Sequence, residues 1–164
     1  MRILRVVVIA ALLSNIPLAD SQQGRSDEHR IESALLAADG LVEVRAVADV
    51  PPDVREAFTA VVPWDAMAER GVRWNSTDLI VPDQPYSQHI FSALAPSVAV
   101  VVFQIGGIAG PHTNIVVGQR AAPGFCIYRI GNVIPKDIEA VRALVRDKHP
   151  DRNGVPMACE YHAS

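Results

Sequence analysis

Residues 98–105 read VAVVVFQI, and this run constrains the fold more than any other. It is apolar on both parities and rich in β-branched side chains, so it predicts a central strand covered on both faces. Three similar runs lie at short spacing: QHIFSALA (88–95), HTNIVVGQ (112–119) and FCIYRIG (125–131). Pro96–Ser97, a glycine-rich loop and RAAPG separate them. Four such runs split by Gly/Pro turns predict a four-stranded antiparallel β-meander.

Helices are expected on either side of that sheet. SDEHRIESALLAADG reads as a helix with Ser26 as cap, Ile31, Leu35 and Ala38 as buried face and Gly40 as stop. PPDVREAFTAVV starts another, with Val54, Phe58 and Val61 as its stripe. PWDAMAERG reads as a short helix ending at Gly71. PKDIEAVRALVRDKHP is an amphipathic helix, with Ile138, Val141, Leu144 and Val145 inward and Pro150 as stop. LVEVRAV (41–47) is a half-buried strand or extended link. Residues 71–87 form a long, proline-bearing connection with one short strand around Asp78–Val81. The fold class is therefore α+β: N-terminal helices, a meander, and a C-terminal helix packed on the sheet.

The start of the chain has a different character. Arg2 and Arg5 precede the unbroken apolar run Val6–Leu13, then Pro17 and small residues. This is the layout of a secretory signal peptide, with the cut placed after Ser21 and Ala19 as the nearest rival. The run is shorter than the roughly 20 apolar residues that span a bilayer. Residues 22–164 then form a single domain, exported to the periplasm or beyond and free of any membrane span. Net charge is −3; losing Arg2, Arg5 and Asp20 leaves −4. Mild acidity argues against nucleic-acid binding, which needs a basic stripe. The two cysteines, Cys126 and Cys159, are too few for a Cys-rich metal cluster. In an exported chain they predict a structural disulfide worth about 3–4 kcal/mol. No C-x-x-C spacing supports a redox pair. No cofactor or metal is implied.

IGGIAGPHTN (105–114) raises the question of a ligand loop. A phosphate-binding loop needs a helix N-terminus behind it, and the residues that follow are strand formers. A hairpin turn explains Gly106, Gly107 and Gly110 more simply. His112 is the harder residue. A turn between Pro96 and Ser97 sets His89 opposite Gln104, and a turn at 108–109 sets Gln104 opposite Thr113. That register puts His89 and Thr113 on one face and His112, with Asn114, on the other. A one-residue slip, or a bulge at the glycines, puts both histidines on one face, about 9–10 Å apart at the backbone. Strand-end histidines are usually surface or hydrogen-bonded groups. A working pair needs a carboxylate, for which Asp78 is the first candidate.

Other features are weaker. NST (75–77) is an N-glycosylation pattern, and Trp64 and Trp74 flank an expected turn as packing residues or, if exposed, partner anchors. No G-x-S-x-G or H-E-x-x-H motif is present. Two readings follow. One is a non-enzymatic binding module, inhibitor- or immunity-like, for another exported or envelope protein, with Trp64, Trp74, Asn114 and Gln104 as contact candidates. The other is a small secreted hydrolase using His112 or His89 with Asp78.

Overall fold

A computed structural model describes residues 18–77, 80–120, 122–148 and 158–162. The chain is an α+β domain with a mostly antiparallel open sheet. Helices α1 (Leu18–Ala37), α2 (Pro52–Ala57) and α3 (Ile138–Arg146) accompany strands β1 (Val42–Val44), β2 (Met67–Ala68), β3 (Ser87–Leu94), β4 (Val98–Ile105), β5 (His112–Gln119), β6 (Phe125–Arg129) and β7 (Glu160–His162). The spatial order is β1-β3-β4-β5-β6-β7, and β2 runs parallel to β3 along its outer edge. The sheet thus has seven strands among the described residues, not four. β1 lies within the half-buried strand or link expected at 41–47, and β7 is a short edge strand directly after Cys159; β2, of two residues, is too short for an alternating pattern to register.

β4 is buried on both faces because two separate cores use it. Val98, Val100 and Val102 join Ile31 and Leu35 of α1 and Val141 and Val145 of α3. Ala99, Val101 and Phe103 join Val54 of α2 with Phe58 and Val62 on the opposite side. Full burial of a valine is worth about 1.5 kcal/mol or more, so the doubly covered strand anchors both layers. Arg142 ties the helical layer together. Its guanidinium donates to the Leu35 carbonyl at 3.2 Å and to that of Ala38, satisfying acceptors the end of α1 leaves open. α3 is capped twice: Asp137 accepts from the Ala140 N–H at 2.8 Å, and Glu43 from the Ile138 N–H at 2.7 Å.

Several local expectations change. Ser26 lies inside α1 and does not cap it, because the helix begins at Leu18. The signal-peptide reading concerns residues 1–21; of these, 1–17 lie outside the described residues, and the cut after Ser21 falls within the first turn of α1. α2 stops at Ala57, and the turns that follow bury Val62 rather than Val61. The expected helix from Pro63 to Gly71 is a 3-10 turn, Trp64–Ala66, running into β2. Of the expected strand near 78–81, Asp78 and Leu79 lie outside the described residues, and residues 80 and 81 are not strand.

One irregularity governs the site. Ile90 is an extra residue in β3: His89 pairs with Phe103, but Phe91 pairs with Val102. Ile90 and Phe91 therefore both point into the α1/α3 core. His89 and Ser92, three positions apart, come to share the other face.

Candidate functional site

The bulge redistributes the polar residues expected at one end of the sheet. Gln104 lies opposite Thr113, as the hairpin register predicts. Its amide donates to the Thr113 hydroxyl at 3.2 Å, with both side chains buried. His89, however, pairs with Phe103 and not Gln104. It shares the face of Phe103 and Asn114, opposite to Gln104 and Thr113. Both histidines then lie on the α2 face of the sheet.

They do not form a pair. His89 is fully buried, its Nδ1 3.2 Å from the Arg45 carbonyl oxygen and its Nε2 3.0 Å from the Ser92 hydroxyl. A carbonyl only accepts, so Nδ1 carries the proton and Nε2 accepts from Ser92. The ring is a neutral structural lock. Burial pushes its pKa below the ordinary 6.5, against a smaller upward pull from the Arg45 carbonyl. The unfolded ring takes up a proton near 6.5 and the folded ring only at lower pH. Stability should hold above that point, fall as pH drops through it and level off below the folded value. Melting temperatures measured against pH in wild type and His89→Gln check this: the variant should lose that component of the pH dependence.

His112 belongs to a different place. With Asn114, Arg129 and His162 it walls a cavity of about 350 Å³, with Val61, Phe103, Ile105 and Ile127 as apolar surface. The sheet register builds it. Phe103, Asn114 and Arg129 are successive cross-strand partners on β4, β5 and β6, and Ile105 pairs with His112 one step along. β7 closes the far wall. The Cys126–Cys159 disulfide, with its sulfurs 2.06 Å apart, ties the residue just before β7 to β6. His162 then stacks on Phe125, ring centroids 5.2 Å apart, and Glu160 meets Arg129 at 3.1 Å. Asn114 is only 3 % exposed, and its Nδ2 is the one buried side-chain polar atom among the described residues with no hydrogen-bond partner. Arg129, Glu160 and His162 are absent from the sequence reading. Arg129 carries a findable signal: a charge ending an apolar strand beside the polar His112–Asn114 segment.

The glycine loop is a hairpin connection, and its glycines differ in purpose. Only Gly110 has positive φ, +91°. Gly106 permits a close approach: a Cβ there would lie 2.1 Å from the Asn75 carbonyl oxygen. Its N–H donates to the Tyr86 carbonyl at 3.1 Å. Asn75 is buried; its amide nitrogen donates to the Val81 and Gln84 carbonyls at 3.0 and 2.9 Å, and its Oδ1 accepts from the Val81 N–H at 2.9 Å. The NST asparagine is thus the internal brace of the long connection, and a glycan on that nitrogen is incompatible with this arrangement. Trp74, on the same connection, is half-buried. Trp64 is also half-buried, its indole N–H donating to the Arg55 carbonyl at 2.9 Å. With Arg55, Pro63 and Tyr86 it lines an open cavity of about 510 Å³. Asp78, the carboxylate candidate, lies outside the described residues.

No protein-family model matches this chain, and no curated protein or solved structure matches it. Among the described residues no group of three or more His, Cys, Asp or Glu side chains is placed to hold a metal ion. Among them no helix is long and apolar enough to cross a membrane.

Proposed function

We propose that this chain is a small exported binding module, stapled by its disulfide, that docks another exported or envelope protein through the end of the sheet where residues 71–87 meet the glycine loop. The observation that carries this reading is a set of apolar side chains displayed on braced backbone. Ile108 is 89 % exposed, Ile80 78 % and Tyr86 about half. The Gly106–Tyr86 hydrogen bond ties the two loops together, and Asn75 braces the longer one internally. A rigid apolar display loses little entropy on docking, which is how a partner surface gains affinity. Trp64 and Tyr86, beside the open cavity, are the aromatic anchors such a surface uses.

The test is a native pull-down of the tagged, exported protein from its own host, read by mass spectrometry. A stoichiometric partner lost on Ile108→Asp, with the thermal melt unchanged, is the expected result. No partner in the wild-type capture, or capture indifferent to Ile108 and Trp64, defeats the reading. A small secreted hydrolase is the second reading, favoured by one observation: His112 lines the same cavity as Asn114, Arg129 and His162. On that reading His112→Ala abolishes ester or amide turnover while stability stays within about 1 kcal/mol. Unchanged turnover removes it.

A further inference from the structure

We infer that the outer face of α3 is a two-fold interface between two copies of this chain, in which α3 packs antiparallel on α3 and Lys136 of each copy meets Asp147 of the other. This face shares no residue with the loop surface assigned to a protein partner. Ile138, Val141 and Val145 commit one side of α3 to the sheet. Ala140, Ala143, Leu144 and Asp147 fall at i, i+3, i+4 and i+7, and so share a second side. With the loop that precedes α3 they line an open groove of about 450 Å³. Val133 and Ile134 on that loop are 42 % and 46 % exposed. The two charged residues among the described walls stand at opposite ends of the helix, Lys136 just before it and Asp147 just after it.

Those two charges run against the dipole of α3. A helix favours anions at its N-terminus and cations at its C-terminus. The neighbouring charges obey that rule: Asp137 caps the first turn and Glu139 lies in it, while Arg146 ends the helix and Lys148 follows. Glu139 and Lys148 also have partners within the fold, Arg142 at 2.7 Å and Glu32. Lys136 and Asp147 break the rule. Lys136 approaches Asp137 at 3.7 Å, but its side chain is 84 % exposed and the contact is weak. The stability of α3 itself therefore accounts for neither charge, whereas a second copy accounts for both. The midpoint of Lys136 and Asp147 falls between Val141 and Arg142, and Ala140 and Ala143 are centred on the same point. A two-fold axis there sets Ala140 against Ala143 of the second copy and Lys136 against its Asp147, and each pairing occurs twice. Methyl side chains at the crossing let the helix axes come to the short end of the usual range of about 8–10 Å. Val133, Ile134 and Leu144 supply apolar surface to cover. A partner of different sequence imposes no such symmetry on the charges, so their shared centre with the alanines selects a second copy.

The experiment is sedimentation velocity of the exported, oxidised protein from about 1 μM to about 1 mM. The wild type should pass from monomer to dimer within that span, because one helix and one loop a side make a small interface. Lys136→Asp and Asp147→Lys each set like charges together twice in the dimer, so each should weaken association about tenfold or more. The Lys136→Asp/Asp147→Lys double variant restores opposite charges and should return to within about threefold of wild type. Both exchanges suit the helix dipole, so thermal melts should not fall and lost association is not lost folding. Ala143→Arg, which fills the crossing point, should stay monomeric throughout. A wild type that remains monomeric at about 1 mM, a dimer indifferent to the single exchanges, or a double variant no better than the singles overturns the inference. Loss of a captured partner protein on Ala143→Arg also overturns it, by giving this face to a different occupant. Partner capture through the loop surface should be equal in Ala143→Arg and wild type, so the two readings stand or fall separately.

Discussion

Gly106→Ala should cost about 3 kcal/mol or more, the largest loss expected from a one-methyl change in this protein. The added Cβ would lie 2.1 Å from the Asn75 carbonyl oxygen and 3.1 Å from the Ser76 carbonyl carbon. Both are backbone atoms and cannot swing aside as a flexible side chain does. The Asn75 backbone is itself held, its N–H donating to the Pro85 carbonyl at 2.7 Å and its amide bridging to Val81 and Gln84. Relief would require parting the two loops and breaking the Gly106–Tyr86 bond. Gly110→Ala is the control. It meets nothing nearby but sits at φ +91°, so it should cost only about 1 kcal/mol. Urea unfolding of the two variants separates steric from conformational strain. A Gly106→Ala loss no larger than that of Gly110→Ala would show that the loops are not locked together.

Opening the Cys126–Cys159 bridge should cost about 3–4 kcal/mol, the loop-closure value for cysteines 33 residues apart. The loss also has a local consequence. β7 has only three residues to pair with β6, and the bridge holds it there. Without it, His162 leaves Phe125 and Glu160 leaves Arg129, so one wall of the cavity beside His112 opens. Guanidinium unfolding with and without reductant should show the shift in wild type, and the Cys126→Ser/Cys159→Ser double variant should sit at the reduced position in both. A wild-type midpoint insensitive to reductant, or thiols alkylatable before reduction, would contradict the bridge.

The β-branched runs at 88–95, 98–105, 112–119 and 125–131 made the long strands legible, because burial on both faces leaves a continuous apolar signature. The hairpin register at Gln104–Thr113 followed from counting residues across the turn. Ile90 defeated the same counting on β3, since a bulge adds a residue without altering the apolar pattern: Ile90 and Phe91 are both apolar and both buried in the α1/α3 core. That single insertion separated His89 from Gln104 and moved it to the face of His112. The site was half legible. Asn114 and His112 were visible as polar interruptions of a strand. Arg129 and His162 join them only through pairing on β6 and β7, information that lies in the register and the disulfide and not in any local spacing.

The bonds from Arg142 to the end of α1 span 104 and 107 residues of sequence. They join the earliest described helix to the last one. As the chain emerges from its N-terminus, α1 appears first and its apolar stripe, Ile31 and Leu35, has no covering layer until the strands and then α3 follow. Helical hydrogen bonds alone do not hold so exposed a segment in water. Covering of the α1 stripe therefore waits for residues more than a hundred positions further along the chain. α1 is thus an early segment of sequence whose apolar face is covered by late ones.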